Sequence, residues 1–167
     1  MEFAVGDKVV HPHHGPGIIT SVEHKDFMEG QEHYYVIEIP DQGLTLHIPQ
    51  HRMSITGVRP AVSDKQLDQV LDILHGTPEQ LPGDHKERQE QVWEKLKTNE
   101  PGQVAETVRD LMWHQHQAHL TKKDTEYLDR ARKMLAAEIA LVDGREVAEA
   151  NKAIETIMAE ALSNAES

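Results

Sequence analysis

The sequence predicts an α+β protein of two domains, a small antiparallel β-barrel followed by an all-α bundle of about five helices. Two observations carry this prediction. Up to residue 59 the apolar residues come in short β-branched or aromatic runs separated by Gly, Pro and Asp, and from Ser63 onward they recur at the three-to-four-residue spacing of helices. A third observation sets the scale: 167 residues with 38% hydrophobic content can bury compact cores rather than remain disordered.

The N-terminal elements follow in order. Val5 to Ile19 reads as a strand around Val9-Val10, a tight Gly/Pro turn through Pro12 to Gly15, and the start of a second strand spanning Gly17 to Val22. Tyr34 to Ile39, Leu44 to Ile48 and Met53 to Ile55 supply three more short strands. Period-two alternation at Tyr35/Ile37/Ile39 and Leu44/Leu46/Ile48 marks one buried face. Glu29-Gly30 and Asp41-Gln42-Gly43 are the expected hairpin turns.

The C-terminal elements are read from caps and stripes. Ser63 with Gln66 forms a capping box ahead of Leu67, Val70, Leu71 and Leu74, and His75-Gly76 with Pro78 ends that helix. A connector from Thr77 to Gly83 leads into a second helix over Asp84 to Lys97. Pro101 starts a third, in which Val104, Val108, Leu111 and Met112 form one stripe. Thr121 with Asp124 caps a fourth, with Tyr127, Leu128, Ala131, Met134, Leu135 and Ile139 inward, and Ala148 to Leu162 forms a fifth.

Composition narrows the function. There is no cysteine, so neither a disulfide framework nor a Cys-based zinc site arises. No apolar run approaches the roughly 20 residues of a membrane-spanning helix. The N-terminus also lacks a basic stretch followed by an apolar one, so a soluble, cytoplasmic protein is expected. No nucleophile elbow, phosphate-cradling Gly loop or paired carboxylates appear, so a non-catalytic protein without cofactor is expected. The net charge is −12, divided as −4 over residues 1–60 and −8 over the rest. Neither half is the basic domain that phosphate binding favours.

The histidines suggest metal only at first sight. In an extended segment His11 and His13 share one face while His14 points away, and His114 and His116 lie about 200° apart on a helix. With His119, they are expected to be exposed turn and surface residues, with no metal bound.

The order of these elements and their motifs resembles the CarD/CdnL family of bacterial transcription regulators. The matching stretches are Val5-Gly6-Asp7 with Val9-Val10, Pro12 to Gly15 and Gly17; Gly57-Val58-Arg59; Val104-Ala105-Glu106 with Val108-Arg109-Asp110-Leu111; and Ala131-Arg132 with Leu135 and Glu138. The resemblance implies a Tudor/SH3-like N-terminal module, similar to the polymerase-interacting domain of transcription-repair coupling factor, that docks on the β subunit of bacterial RNA polymerase. It further implies a helical domain that reaches the upstream edge of melted promoter DNA, where a Trp wedge stabilises the open complex.

Carried over residue by residue, the resemblance assigns polymerase contact to Lys25 and His47, at positions where the family has basic residues. Lys25 keeps the charge without the planar fork of Arg, and an imidazole is mostly neutral at pH 7. The DNA-facing positions are His85, Lys86 and Arg88, with His85 standing where the family has its wedge Trp. Asp84 to Lys97 carries four basic and four acidic residues. An imidazole offers far less stacking area than an indole for unstacking a base step. Trp93 and Trp113 are alternative DNA wedges or partner contacts, although core or half-buried packing is expected for both. Lys122-Lys123 is expected to be a solvated first turn, with phosphate contact as the alternative.

The resulting expectation is a monomeric transcription regulator. Residues 1–60 bind RNA polymerase, and residues 61–167 face promoter DNA or a second partner and alter open-complex stability. The alternative is an adaptor or competitor on RNA polymerase with little or no DNA contact.

Overall fold

The computed structural model describes residues 2–27 and 30–166, and the side chains of all of these except 25–27 and 30–32. It divides into two compact units, Met1–Ala61 and Val62–Ser167. Among the described residues no helix is long and apolar enough to cross a membrane.

The first unit contains β1 (Lys8–His11), β2 (Gly15–Phe27), β3 (Gly30–Ile39), β4 (Leu44–Pro49) and β5 (Arg59–Pro60). They form one antiparallel sheet in the order β4-β3-β2-β1-β5. Tyr35, Ile37 and Ile39 are all buried as the alternation in β3 predicts, but Val36 on the opposite face is buried as well. The first three meet Val9, Ile19, Ile48, Met53 and Val58 in a single core. Tyr35 stays satisfied there because its hydroxyl accepts from the Phe3 N–H and from Gln50 Nε2, both at 3.1 Å. The Asp41-Gln42-Gly43 turn forms as a short 3-10 segment closed by Gly43, whereas Glu29 of the other expected turn lies outside the described residues.

Two expectations are corrected here. The sheet is not closed into a barrel, because the edge strands β4 and β5 do not pair with each other. Met53 to Ile55 is not a strand: a 3-10 turn over Gln50–Arg52 runs into the short helix α1 (Met53–Thr56). Gly57 ends that helix in the left-handed region at φ +81°. The β-branched Ile55 suggested a strand, yet it is 81% exposed and only Met53 enters the core. One anchoring side chain outweighs local β-propensity.

The second unit contains α2 (Asp64–His75), α3 (His85–Leu96), α4 (Pro101–Gln117), α5 (Lys122–Asp143) and α6 (Val147–Glu166). Both capping boxes form: Gln66 N–H donates to Ser63 Oγ at 3.2 Å and Asp124 N–H to Thr121 Oγ1 at 3.2 Å, with each reciprocal bond present. Asp84 caps α3 by accepting from the Glu87 N–H at 3.1 Å. The apolar stripes converge in a core that includes Leu74, Leu96, Val108, Leu111, Ile139, Ile154 and Met158.

Buried polar groups fasten the non-helical chain to this core. Asp110 Oδ1 accepts from the Glu79 N–H at 2.9 Å and from Arg109 Nε at 2.8 Å. Glu138 accepts from the Val62 N–H at 2.9 Å, which fixes the chain just ahead of α2.

Gly17 is the tightest point of the sheet. A Cβ there would lie 2.7 Å from the Glu38 carbonyl oxygen and Ile39 Cδ1 and 2.8 Å from Ile37 Cγ2. Gly17→Ala is therefore expected to destabilise the β unit by about 1–3 kcal/mol. Urea denaturation followed at Tyr34 and Tyr35 checks this; an unchanged midpoint would contradict the packing described.

Candidate functional site

On the β unit, His47 lies on edge strand β4 opposite Val36. Its exposed ring places Nδ1 3.8 Å from Glu23 Oε2, which is an ion pair only when the imidazole is protonated. Lys25 stands opposite Glu32 in the β2–β3 ladder, and its side chain lies outside the described residues. The structure therefore places His47 on an accessible sheet edge, where an incoming chain finds both backbone hydrogen-bonding groups and a side chain.

The start of α3 separates the three DNA-facing candidates. His85 and Lys86 are exposed, whereas Arg88 is 3% exposed and faces the interior. Arg88 Nε and Nη2 donate to the two oxygens of Asp124 at 3.1 and 2.7 Å, and Nη1 donates to the carbonyls of Pro82 and Gly83 at 3.2 and 3.1 Å. Asp124, fully buried, also accepts from the Thr121 N–H and hydroxyl, each at 2.9 Å. Gln89 extends the link by donating to Thr121 Oγ1 at 3.0 Å. The guanidinium is thus committed to joining the start of α3 to the start of α5 and leaves no fork for a phosphate.

Electrostatics in this cluster follow from burial. Burial alone would raise the Asp124 carboxyl. The hydrogen bonds from Arg88 and Thr121, with the Arg88 charge, outweigh it and hold the pKa below the ordinary carboxylate value. His114 on α4, 7% exposed, is shifted down, first by burial and then by the positive charge of Arg88, against a smaller opposing effect of Asp124. Its Nδ1 has no hydrogen-bond partner, which suits a neutral ring.

Two of the other histidines, His11 and His116, make structural contacts. His11 Nδ1 accepts from the backbone N–H groups of His13 and His14 at 3.1 and 3.2 Å, so this ring nitrogen holds the turn. Burial, followed by the neighbouring His14 and His13, pushes the His11 pKa down. His116 pairs with Glu166 and stacks beside Trp113, while His119 is exposed. Three of these histidines, His11, His14 and His114, are thus less exposed than surface residues. Among the described residues no group of three or more His, Cys, Asp or Glu side chains could hold a metal ion.

Trp113 is half-buried, but Trp93 is 39% exposed and does not join the core. It stacks beside Tyr127 of α5, with ring centroids 6.2 Å apart and planes 21° apart. The Arg130 guanidinium lies 5.5 Å from the indole centroid, and Lys123 Nζ lies 5.6 Å from the Tyr127 centroid. Sequence reasoning missed this cluster. The signal was available: Arg88, Val92 and Leu96 are spaced i, i+4, i+8 and form the inward stripe, which turns Trp93 about 100° away from it.

An antiparallel sheet unit followed by a five-helix unit held by these buried fasteners defines a two-module protein with exposed candidate contacts on each module. Residues 3–62 match the CarD-like/TRCF RID domain, and residues 69–155 match the CarD C-terminal domain. YdeB of Bacillus subtilis (strain 168), described as a candidate transcription factor, is 34% identical over 143 residues, which is 85% of this chain and 93% of that protein. The solution NMR structure of the 72-residue N-terminal domain of Myxococcus xanthus CarD is similar at 24% identity, covering 35% of this chain and 79% of that one with a TM-score of 0.31. The chain belongs to the CarD-like family of transcription factors, whose N-terminal domain is an RNA polymerase-interacting domain.

Because the folded His114 pKa lies below its unfolded value near 6.5, the unfolded chain takes up that proton first as pH falls. The part of the helical unit's stability that depends on a neutral His114 is therefore present above about pH 6.5 and declines below it, until the folded pKa is passed. Both tryptophans lie in this unit, so their fluorescence reports on it alone. Urea titrations across pH 7.5 to 5 are expected to show a smaller loss of stability in His114→Leu than in the wild type; parallel slopes would contradict this.

Proposed function

We propose that this protein is a non-catalytic cytoplasmic regulator that binds the β subunit of bacterial RNA polymerase through residues 1–60 and alters the stability of the promoter open complex through residues 61–167. The observation that carries this reading is the succession, in one chain, of the polymerase-interacting domain and the CarD C-terminal domain. His47 on the open edge of the sheet and Lys25 on β2 are the proposed polymerase contacts, both cationic or able to become so. On the helical unit, His85 and Lys86 remain accessible to DNA, while Arg88 contributes by holding α3 in place.

A second reading, an adaptor that occupies the polymerase with little DNA contact, is favoured by the same helix start. His85 stands in place of an indole, Arg88 is withdrawn, and the stretch from Asp84 to Lys97 has no net charge.

Two measurements separate these readings. An immobilised β-subunit lobe is expected to retain the full-length protein, and Lys25→Glu combined with His47→Glu to weaken retention by about tenfold or more. The absence of any retention would sink both readings. The dissociation half-time of preformed open complexes is expected to change when the protein is added. Retention on the lobe with an unchanged half-time would select the adaptor.

A further inference from the structure

We propose that His24 and His33, paired across the β2–β3 hairpin, form a chelating site for a late first-row divalent metal ion of the Zn²⁺, Ni²⁺ or Cu²⁺ class. The proposal goes beyond the transcriptional reading and depends on neither of its two alternatives.

The register of the sheet brings the two side chains together. Between Ile19 and Ser21 the β2–β3 ladder shifts by one residue, and beyond that shift His24 lies opposite His33. Had the register of Ile18 with Glu38 and Ile19 with Ile37 continued, His24 would stand opposite Glu32 instead. Directly opposed residues of an antiparallel pair have Cβ atoms about 4.5–5.5 Å apart, which puts two imidazoles on one face within reach of a common ion.

The nitrogens themselves converge. His24 Nδ1 and His33 Nδ1 are 3.3 Å apart, closer than the ring centroids at 4.5 Å, with the planes tilted by 53°. An ion held at about 2.0–2.1 Å by two imidazole nitrogens at the tetrahedral angle separates those nitrogens by about 3.3 Å. The spacing across the hairpin is therefore the bite such an ion requires. Between two neutral rings, one Nδ1–H donates to the other Nδ1. On metal binding the donor ring moves its proton to Nε2, and both Nδ1 lone pairs face the ion.

The rest of the unit suits this assignment. His11 Nδ1 already accepts two backbone N–H groups, and His47 Nδ1 faces Glu23 Oε2 at 3.8 Å. Imidazole nitrogens favour zinc, nickel and copper, whereas calcium and magnesium call for oxygen ligands. The net charge of −4 over residues 1–60 attracts a dication. Both rings are exposed, so water fills the remaining coordination positions and the ion exchanges with solvent. Its structural consequence is a cross-link between two strands, joining residues nine apart in the chain.

The test titrates Zn²⁺ into the untagged full-length chain and follows the histidine ring signals by NMR. The signals of His24 and His33 are expected to shift first and to saturate together at one equivalent, while Mg²⁺ leaves them unchanged. Zn²⁺ should also slow amide exchange at these two residues. His24→Gln, His33→Gln and the double variant are each expected to lower affinity by about tenfold or more and by a similar factor, because removing either arm destroys the chelate. His33→Cys should keep the ion, since a thiolate also ligates zinc and a ring that served only packing would not be replaced by it.

Absence of saturable Zn²⁺ binding by the wild type would overturn the proposal. So would wild-type affinity in either Gln variant, or losses in the single variants that sum to the loss in the double, as two independent surface rings would give.

Discussion

The outer face of the helical unit depends on one buried ion pair. Moving a guanidinium and a carboxylate out of water costs several kcal/mol for each ion, and mutual attraction offsets this only when the other donors and acceptors are also satisfied. Arg88 and Asp124 meet that condition. The guanidinium is shared between the carboxylate and two backbone carbonyls, and the carboxylate also takes both donors of Thr121. The pair thereby sets three things at once: the path of the chain through Pro82 and Gly83, the start of α3 and the start of α5. Trp93 and Tyr127 stand next to each other as a consequence.

The same device recurs. Arg109 and Asp110 tie the connector after α2 to α4, and Glu138 ties the chain at Val62 to α5. Arg109, Asp110 and Glu138 are also among the residues by which the chain resembles its family. These motif positions are interior fasteners, so they specify the scaffold. His47, His85 and Trp93 are exposed and take no part in these fasteners.

Most of the fold was legible in the sequence because helix boundaries are set locally. Ser63, Asp84, Pro101 and Thr121 each start a helix for reasons contained within a few residues. What was not legible depended on partners distant in the chain. Met53 to Ile55 has the composition of a strand and becomes a helix because Met53 plugs the sheet core. Barrel closure required β4 and β5 to meet, which no local signal decides. Arg88 resembled a surface residue in a charge-balanced stretch, and its burial is caused by Asp124, 36 residues away. Trp93 followed the buried Val92 and was read as inward for the same reason: without Arg88 in the inward stripe, the phase of α3 was ambiguous.

A double-mutant cycle tests most directly whether this pair holds the helical unit together. Arg88→Met and Asp124→Leu, singly and combined, would be measured by urea denaturation at neutral pH with tryptophan fluorescence. Each single change is expected to cost about 3–5 kcal/mol, because it leaves the opposite charge buried and unpaired. The double variant should recover at least about 2 kcal/mol of the summed loss. Effects that add to within about 0.5 kcal/mol would contradict the account, since two groups without coupling cannot be what fixes α3 against α5.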